Sequence, residues 1–170
     1  WCNCGHFVRA GEAVRIRLWA RCHETGEYQI YKSDKYGFNN PNEVHDNDKL
    51  QVGIVGDSFM QGSCVKREHT LGGFISDKFP KTLVIASAGN GSLSNLASFV
   101  EYLSDKEPEV VLWFFTAGND LIEQSEERKQ FSILNKYLEE ENFKQHLKLY
   151  QKEIDKHLID IAERENPDNL

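Results

Sequence analysis

Three stretches of the chain are short, apolar and rich in β-branched residues, and each runs into small polar ones. Leu50-Gln51-Val52-Gly53-Ile54-Val55 leads into Gly56-Asp57-Ser58. Thr82-Leu83-Val84-Ile85-Ala86 leads into Ser87-Ala88-Gly89-Asn90-Gly91-Ser92. Glu109-Val110-Val111-Leu112-Trp113-Phe114-Phe115 leads into Thr116-Ala117-Gly118-Asn119-Asp120. Runs of this kind predict strands over 50–55, 82–86 and 109–115. The third is apolar nearly throughout, the pattern of a strand buried on both faces. Between the runs, apolar residues recur at helical spacing. Leu71, Phe74, Ile75 and Phe79 predict a helix over 66–79. Leu93, Leu96, Ala97, Val100 and Leu103 predict another over 93–104, with Pro108 breaking the chain after it. Strands alternating with helices predict βαβ units and a parallel sheet, and right-handed crossovers put helices on both of its faces.

The flanks read differently. Residues 31–49 are dense in Asn, Asp, Gly and Pro, which is loop chemistry. Residues 121–170 carry twelve acids and eight bases, and 130–165 reads as a helical insertion. There Leu147, Tyr150, Ile154, Leu158 and Ile161 form one helical stripe, Asn142 with Gln145 resembles a capping box at its start, and Asn166-Pro167 stops it.

The chain has 170 residues and a formal charge of 20 − 27 = −7. That length suits one domain with a real core. The acidic balance argues against nucleic acid as the main partner. No apolar run reaches the ~18–20 residues of a membrane span. Composition breaks near Gly26. Residues 1–28 hold Arg9, Arg15, Arg17 and Arg21 but no Lys, whereas all thirteen Lys lie in 29–170. Three of the four cysteines, Cys2, Cys4 and Cys22, also fall early. We read 1–28 as an atypical leader, foreign or mistranslated, ahead of a domain over 29–170. The alternative is a genuine N-terminal strand pair, with 13–19 alternating at its core. Cys2-x-Cys4 lacks zinc-knuckle spacing and no second ligand pair follows, so neither metal nor cofactor is expected; the disfavoured alternative is a three-Cys zinc site completed by His6 or His23. Cys64 reads as a small buried filler.

In a parallel sheet the three polar loops share one edge, where ligands of open α/β folds bind. Ser58, Gly89 and Asn119 therefore converge on one crevice. These residues resemble the blocks of the SGNH, or GDSL, hydrolases. Gly56-Asp57-Ser58-Phe59 resembles the first block, Gly89 in Ala88-Gly89-Asn90-Gly91 the glycine of the second, and Gly118-Asn119-Asp120 the third. Tyr36-Gly37-Phe38-Asn39-Asn40-Pro41 resembles the lead-in of some bacterial envelope-associated members. The resemblance implies a flavodoxin-like three-layer α/β/α sandwich with a parallel central sheet. It also implies ester chemistry, of carboxylester or glycan O-acetyl type, through an acyl-serine. Ser58 would be the nucleophile. The Ser58 and Gly89 backbone N–H groups and the Asn119 side chain would form the oxyanion hole. Such donors, aimed at developing charge, are usually the largest catalytic contribution. Asp57 and Asp120 are read as loop supports, each accepting backbone N–H bonds.

The family's Asp-x-x-His base has no counterpart, because none of the six histidines has an Asp three residues earlier. The chain is therefore expected to be a fragment truncated at its C-terminus, inactive or very weak by itself. His45 and His69 are poor surrogates, since neither follows a strand end. Met60 stands where the α/β-hydrolase elbow needs its second glycine. No Gly-Lys-Ser/Thr follows either glycine loop, against a P-loop. Two alternatives stay open: a non-catalytic carbohydrate- or anion-binding module, and an acyltransferase on the same fold.

Overall fold

The computed structural model describes residues 6–8, 18–21, 29–62, 64–118 and 120–164. Toward the N-terminus, β1 (His6–Val8), β2 (Leu18–Arg21) and β3 (Gln29–Lys32) form an antiparallel sheet in that order. β2 pairs with β3 across the compositional break near Gly26. Of the alternating segment expected at 13–19, only Leu18 and Trp19 lie among the described residues. Cys2, Cys4, Cys22 and His23 lie outside them.

The second sheet is parallel, with strands β4 (Val52–Gly56), β5 (Thr82–Ala86) and β6 (Val110–Trp113) in the order β5–β4–β6. Six helices accompany it among the described residues: α1 (Ser58–Gln61), α2 (Leu71–Lys78), α3 (Ser92–Ser98), α4 (Asp120–Gln130), α5 (Ser132–Glu139) and α6 (Gln151–Arg164). The expected α/β class and parallel sheet are present. No helix of the described residues is long and apolar enough to cross a membrane.

Alternate residues of the strands supply two cores. Val52, Ile54, Val84 and Ala86 face Met60 of α1 and Ile75 of α2. Val55, Leu83 and Ile85 face Tyr102 and Leu103, which follow α3, together with Phe38, Val44 and Leu50. Helices thus cover both faces of β4 and β5, whose residues are all buried.

Four expectations are corrected. α2 does not bury its predicted face: Ile75 packs inward, but Phe74 is 57% exposed, and Leu71 and Phe79 are exposed as well. The helix instead presents Gly72, where a Cβ would stand 2.6 Å from Val84 Cγ2. Its backbone approaches the sheet more closely than a leucine face would permit. It also starts later than 66, because the Thr70 hydroxyl caps the Gly73 N–H at 2.9 Å. β6, expected to be buried on both faces, is an edge strand of this sheet. Val110 and Phe115 are each 50% exposed and Trp113 40%, since the helices lie over β4 and β5. Asn142 and Gln145 form no capping box: a 3₁₀ turn over Leu147–Tyr150 leads into α6, and the Gln145 N–H is engaged elsewhere.

That engagement is Glu101. After α3 the backbone widens into a π-helical turn over Phe99–Leu103, which brings Glu101, Tyr102 and Leu103 successively inward. The buried Glu101 carboxylate accepts the Tyr137 hydroxyl at 2.7 Å and the backbone N–H groups of Gln145 and Leu147 at 2.6 and 2.9 Å. The tail is thereby docked on the π turn.

The segment read as loop is partly interior, with Ser33, Asp34, Phe38, Asn39, Asn40, Val44 and His45 buried. Asn40 donates to Val84 O at 2.9 Å and accepts from Val84 N at 2.9 Å, so its carboxamide substitutes for a neighbouring strand at the outer edge of β5. It also donates to Asp34 Oδ2 at 2.8 Å. Asp34 Oδ1 accepts the Tyr36 and Phe38 N–H groups, and His45 Nε2 lies 2.9 Å from Asp34 Oδ2.

Two outcomes follow. Asn40→Ala should lower stability by about 2–4 kcal/mol in urea unfolding, because buried groups of Val84 and Asp34 lose their partners. Asn40→Asp should be no better, since its carboxylate would face Val84 O and Asp34. Burial and the hydrogen bond to Glu101 raise the Tyr137 phenol from 10.0 to about 12. The folded chain therefore holds this proton more tightly than the unfolded chain. The associated stability is intact below pH 10 and is lost as pH rises toward about 12. A tyrosinate absorbance titration should show one fewer late-titrating phenol in Tyr137→Phe, while Tyr36, also raised by burial, stays late.

Candidate functional site

The turn after β4 is tight for identifiable reasons. A Cβ on Gly56 would stand 2.5 Å from Met60 Cγ, so only glycine lets the strand fold directly into α1 with Met60 packed over it. Asp57 caps the helix: its Oδ1 accepts the Phe59 N–H at 2.9 Å. Ser58 is the first helical residue and is half-buried. Gly62 ends the turn at φ 73°, where a Cβ would fall 2.0 Å from Thr70 Cγ2. Nearby, Cys64 is half-buried and disulfide-bonded, which corrects its reading as a buried filler thiol.

The loop after β5 is tied to this turn. Ser87 N–H donates to Gly56 O at 3.3 Å, and Ala88 N–H donates to the buried Gln61 Oε1 at 2.8 Å. Gly89 then adopts φ 81°, and among the described residues nothing lies within 4 Å of where its Cβ would be. Glycine is suited here by its backbone conformation, and the position opens on free space. Gly91 is the opposite case, because a Cβ would meet Glu127 Oε2 at 2.7 Å. Glu127, reaching from α4, accepts the Gly91, Leu93 and Ser94 N–H groups at 2.9, 3.0 and 3.3 Å and so caps α3.

The loop after β6 is tied in turn. Thr116 N–H donates to Asp120 Oδ2 at 2.7 Å, and Asp120 N–H donates to Thr116 O at 3.0 Å. Thr116 Oγ1 donates to Asp57 Oδ2 at 3.0 Å. Asp57 and Asp120 are both buried. Asn119 lies outside the described residues.

Three side-chain bridges therefore close a ring around the C-terminal edge of the sheet. Gln61 joins the first loop to the second, Glu127 joins the second to α4, and the Asp57–Thr116–Asp120 chain joins the third to the first. Ser58 and Gly89 belong to this edge. Gln61, Thr116 and Glu127 had no signal in the sequence, because each acts on a partner 27–59 residues away.

His45 is enclosed by Asp34 and the Tyr36 ring, whose centroid is 4.9 Å away. Its carbonyl accepts Lys106 Nζ at 2.8 Å, and Lys106 O in turn accepts the Leu50 N–H just before β4 begins. It is thus tied to the end of β4 away from Ser58. His69 is exposed on a 3₁₀ turn over Arg67–His69, and His157 is exposed on α6. His146 has φ 56° ahead of the Leu147–Tyr150 turn. No group of His, Cys, Asp and Glu side chains able to hold a metal occurs among the described residues. The chain matches no protein-family model, no curated protein and no solved structure.

Removing the Glu127 carboxylate should loosen the second loop. Glu127→Ala leaves three N–H groups at the start of α3 without their acceptor. It should cost about 2–4 kcal/mol in urea unfolding. Glu127→Gln should recover only part, since one amide face presents a donor to donors. A Glu127→Ala loss below about 0.5 kcal/mol would mean that water replaces the bridge.

Proposed function

We propose that the chain carries the nucleophile and oxyanion side of a serine esterase site. The observation that supports this best is the bridged ring of strand-end loops, with Ser58 opening a helix at the same sheet edge as Gly89, whose Cβ position meets no described residue within 4 Å. In this reading Ser58 Oγ attacks the ester carbonyl carbon. The Oγ proton passes to a base, and the developing oxyanion is held by the Ser58 and Gly89 N–H groups and by the Asn119 amide. The alkoxide leaves with a proton returned from the base, and water then hydrolyses the acyl-Ser58. A neutral carboxamide suits the third donor position, since its hydrogen bonding does not change with pH. Asp57 and Asp120 act from beneath by shaping the loops. The base belongs to an Asp-x-x-His pair that the 170 residues do not contain. Substrates of this reading are small carboxylesters or O-acetylated glycans.

The test supplies the missing base from solution. With imidazole present, an alkyl fluorophosphonate should modify Ser58: the Ser58 Oγ–P bond forms, fluoride leaves, and imidazole takes the proton. Intact mass should show one adduct, absent in Ser58→Ala. Labelling should be at least roughly tenfold slower without imidazole, as expected for a nucleophile lacking its base. An adduct that persists in Ser58→Ala would overturn the reading. So would the absence of any adduct, and binding of O-acetylated glycan unchanged by Ser58→Ala would then favour the binding module. Acyl transfer to an added alcohol in preference to water would favour the acyltransferase.

A further inference from the structure

We propose that Thr116 is a positioning residue of this site, fixing the loop that carries Asn119 against the turn that carries Ser58. The inference rests on the esterase reading above. Thr116 bonds to the supports of both loops. Its hydroxyl donates to Asp57 Oδ2 at 3.0 Å, while its backbone N–H donates to Asp120 Oδ2 at 2.7 Å. The other oxygen of Asp57 accepts the Phe59 N–H, so one carboxylate joins the nucleophile turn directly to Thr116.

The two bonds between Thr116 and Asp120 form a clamp at the base of residues 117–119. The clamp fixes where that short loop starts and ends, and the Thr116 hydroxyl fixes where the clamp sits relative to Ser58. Asp57 and Asp120 are 3% and 1% exposed, so water cannot readily replace Thr116 between them. An oxyanion donor is useful only when held within a few tenths of an ångström of its place, which a loop of three residues does not secure unaided. Valine at 116 keeps the shape and the backbone bonds but deletes the bridge. Serine keeps the bridge and deletes a methyl group.

The experiment measures Ser58 phosphonylation in imidazole, separating the maximal rate from the half-saturating probe concentration. Thr116→Val should lower the maximal rate about tenfold, on the order of what partial misplacement of one oxyanion donor costs, with half-saturation nearly unchanged. Thr116→Ser should restore the rate to within about twofold of the parent. If Thr116 acts through Asn119, Thr116→Val should add almost nothing in an Asn119→Ala background, where the donor is already gone. Three results would overturn the inference. The first is an unchanged maximal rate in Thr116→Val. The second is no rescue by serine. The third is an equal further loss in both backgrounds, which would mean general destabilisation. Absence of Ser58 labelling in the parent chain is a separate outcome. It would remove the esterase reading itself, and with it the role assigned to Thr116.

Discussion

A loop buried beside a sheet must find partners for its backbone N–H and C=O groups, and this chain meets that requirement with carboxylates and carboxamides. Asp34 gathers two N–H groups of the 33–41 loop, Asn40 stands in for a strand beside Val84, and Glu127 closes the start of α3. Glu101 does the same for the tail. If any one of these side chains is removed, a peptide group is stranded away from water. The order at the C-terminal edge of the sheet follows from this constraint. Its loops are fixed by distant neighbours as well as by bonds within their own short sequences.

The same pattern explains where part of the negative charge resides. Asp34, Asp57, Glu101, Asp120 and Glu127 are all buried. Their carboxylates are met chiefly by backbone N–H groups, by hydroxyls of Thr116 and Tyr137, and by the amide of Asn40. Several neutral donors solvate a carboxylate without requiring a buried cation, and each such charge-assisted bond is stronger than a neutral one. By contrast, exposed ion pairs such as Lys49–Glu107 and Lys129–Glu126 contribute little.

Legibility in the sequence divides along the same line. The strands were readable because β-branched runs are local, and the parallel sheet followed from the helical spacing between them. Ser58 and Gly89 were readable as residues at strand ends. Asn119 was singled out on the same grounds and lies outside the described residues. The face of α2 was misread because Gly72, with no side chain, turned out to be its contact with Val84. The 31–49 segment forms turns over most of its length, but its first two residues end β3 and a 3₁₀ helix runs over Asn42–Asp46, and turn chemistry does not reveal burial. Asn40 meets a partner 44 residues away, which no local pattern encodes. Thr116 looked like one more small polar residue after a strand, and its importance comes from Asp57 in another loop.

The two margins of the parallel sheet are unlike, and that fixes a direction. Beyond β5, the Asn40 carboxamide already occupies the peptide groups of Val84. Beyond β6, Val110, Val111, Trp113 and Phe115 stand exposed along a strand with no further neighbour among the described residues. Such a sheet is polar in the sense of a growing crystal: one face is capped and the other accepts. The Asn40 carboxamide thus obstructs strand addition at the middle of β5, whereas the β6 margin is open among the described residues.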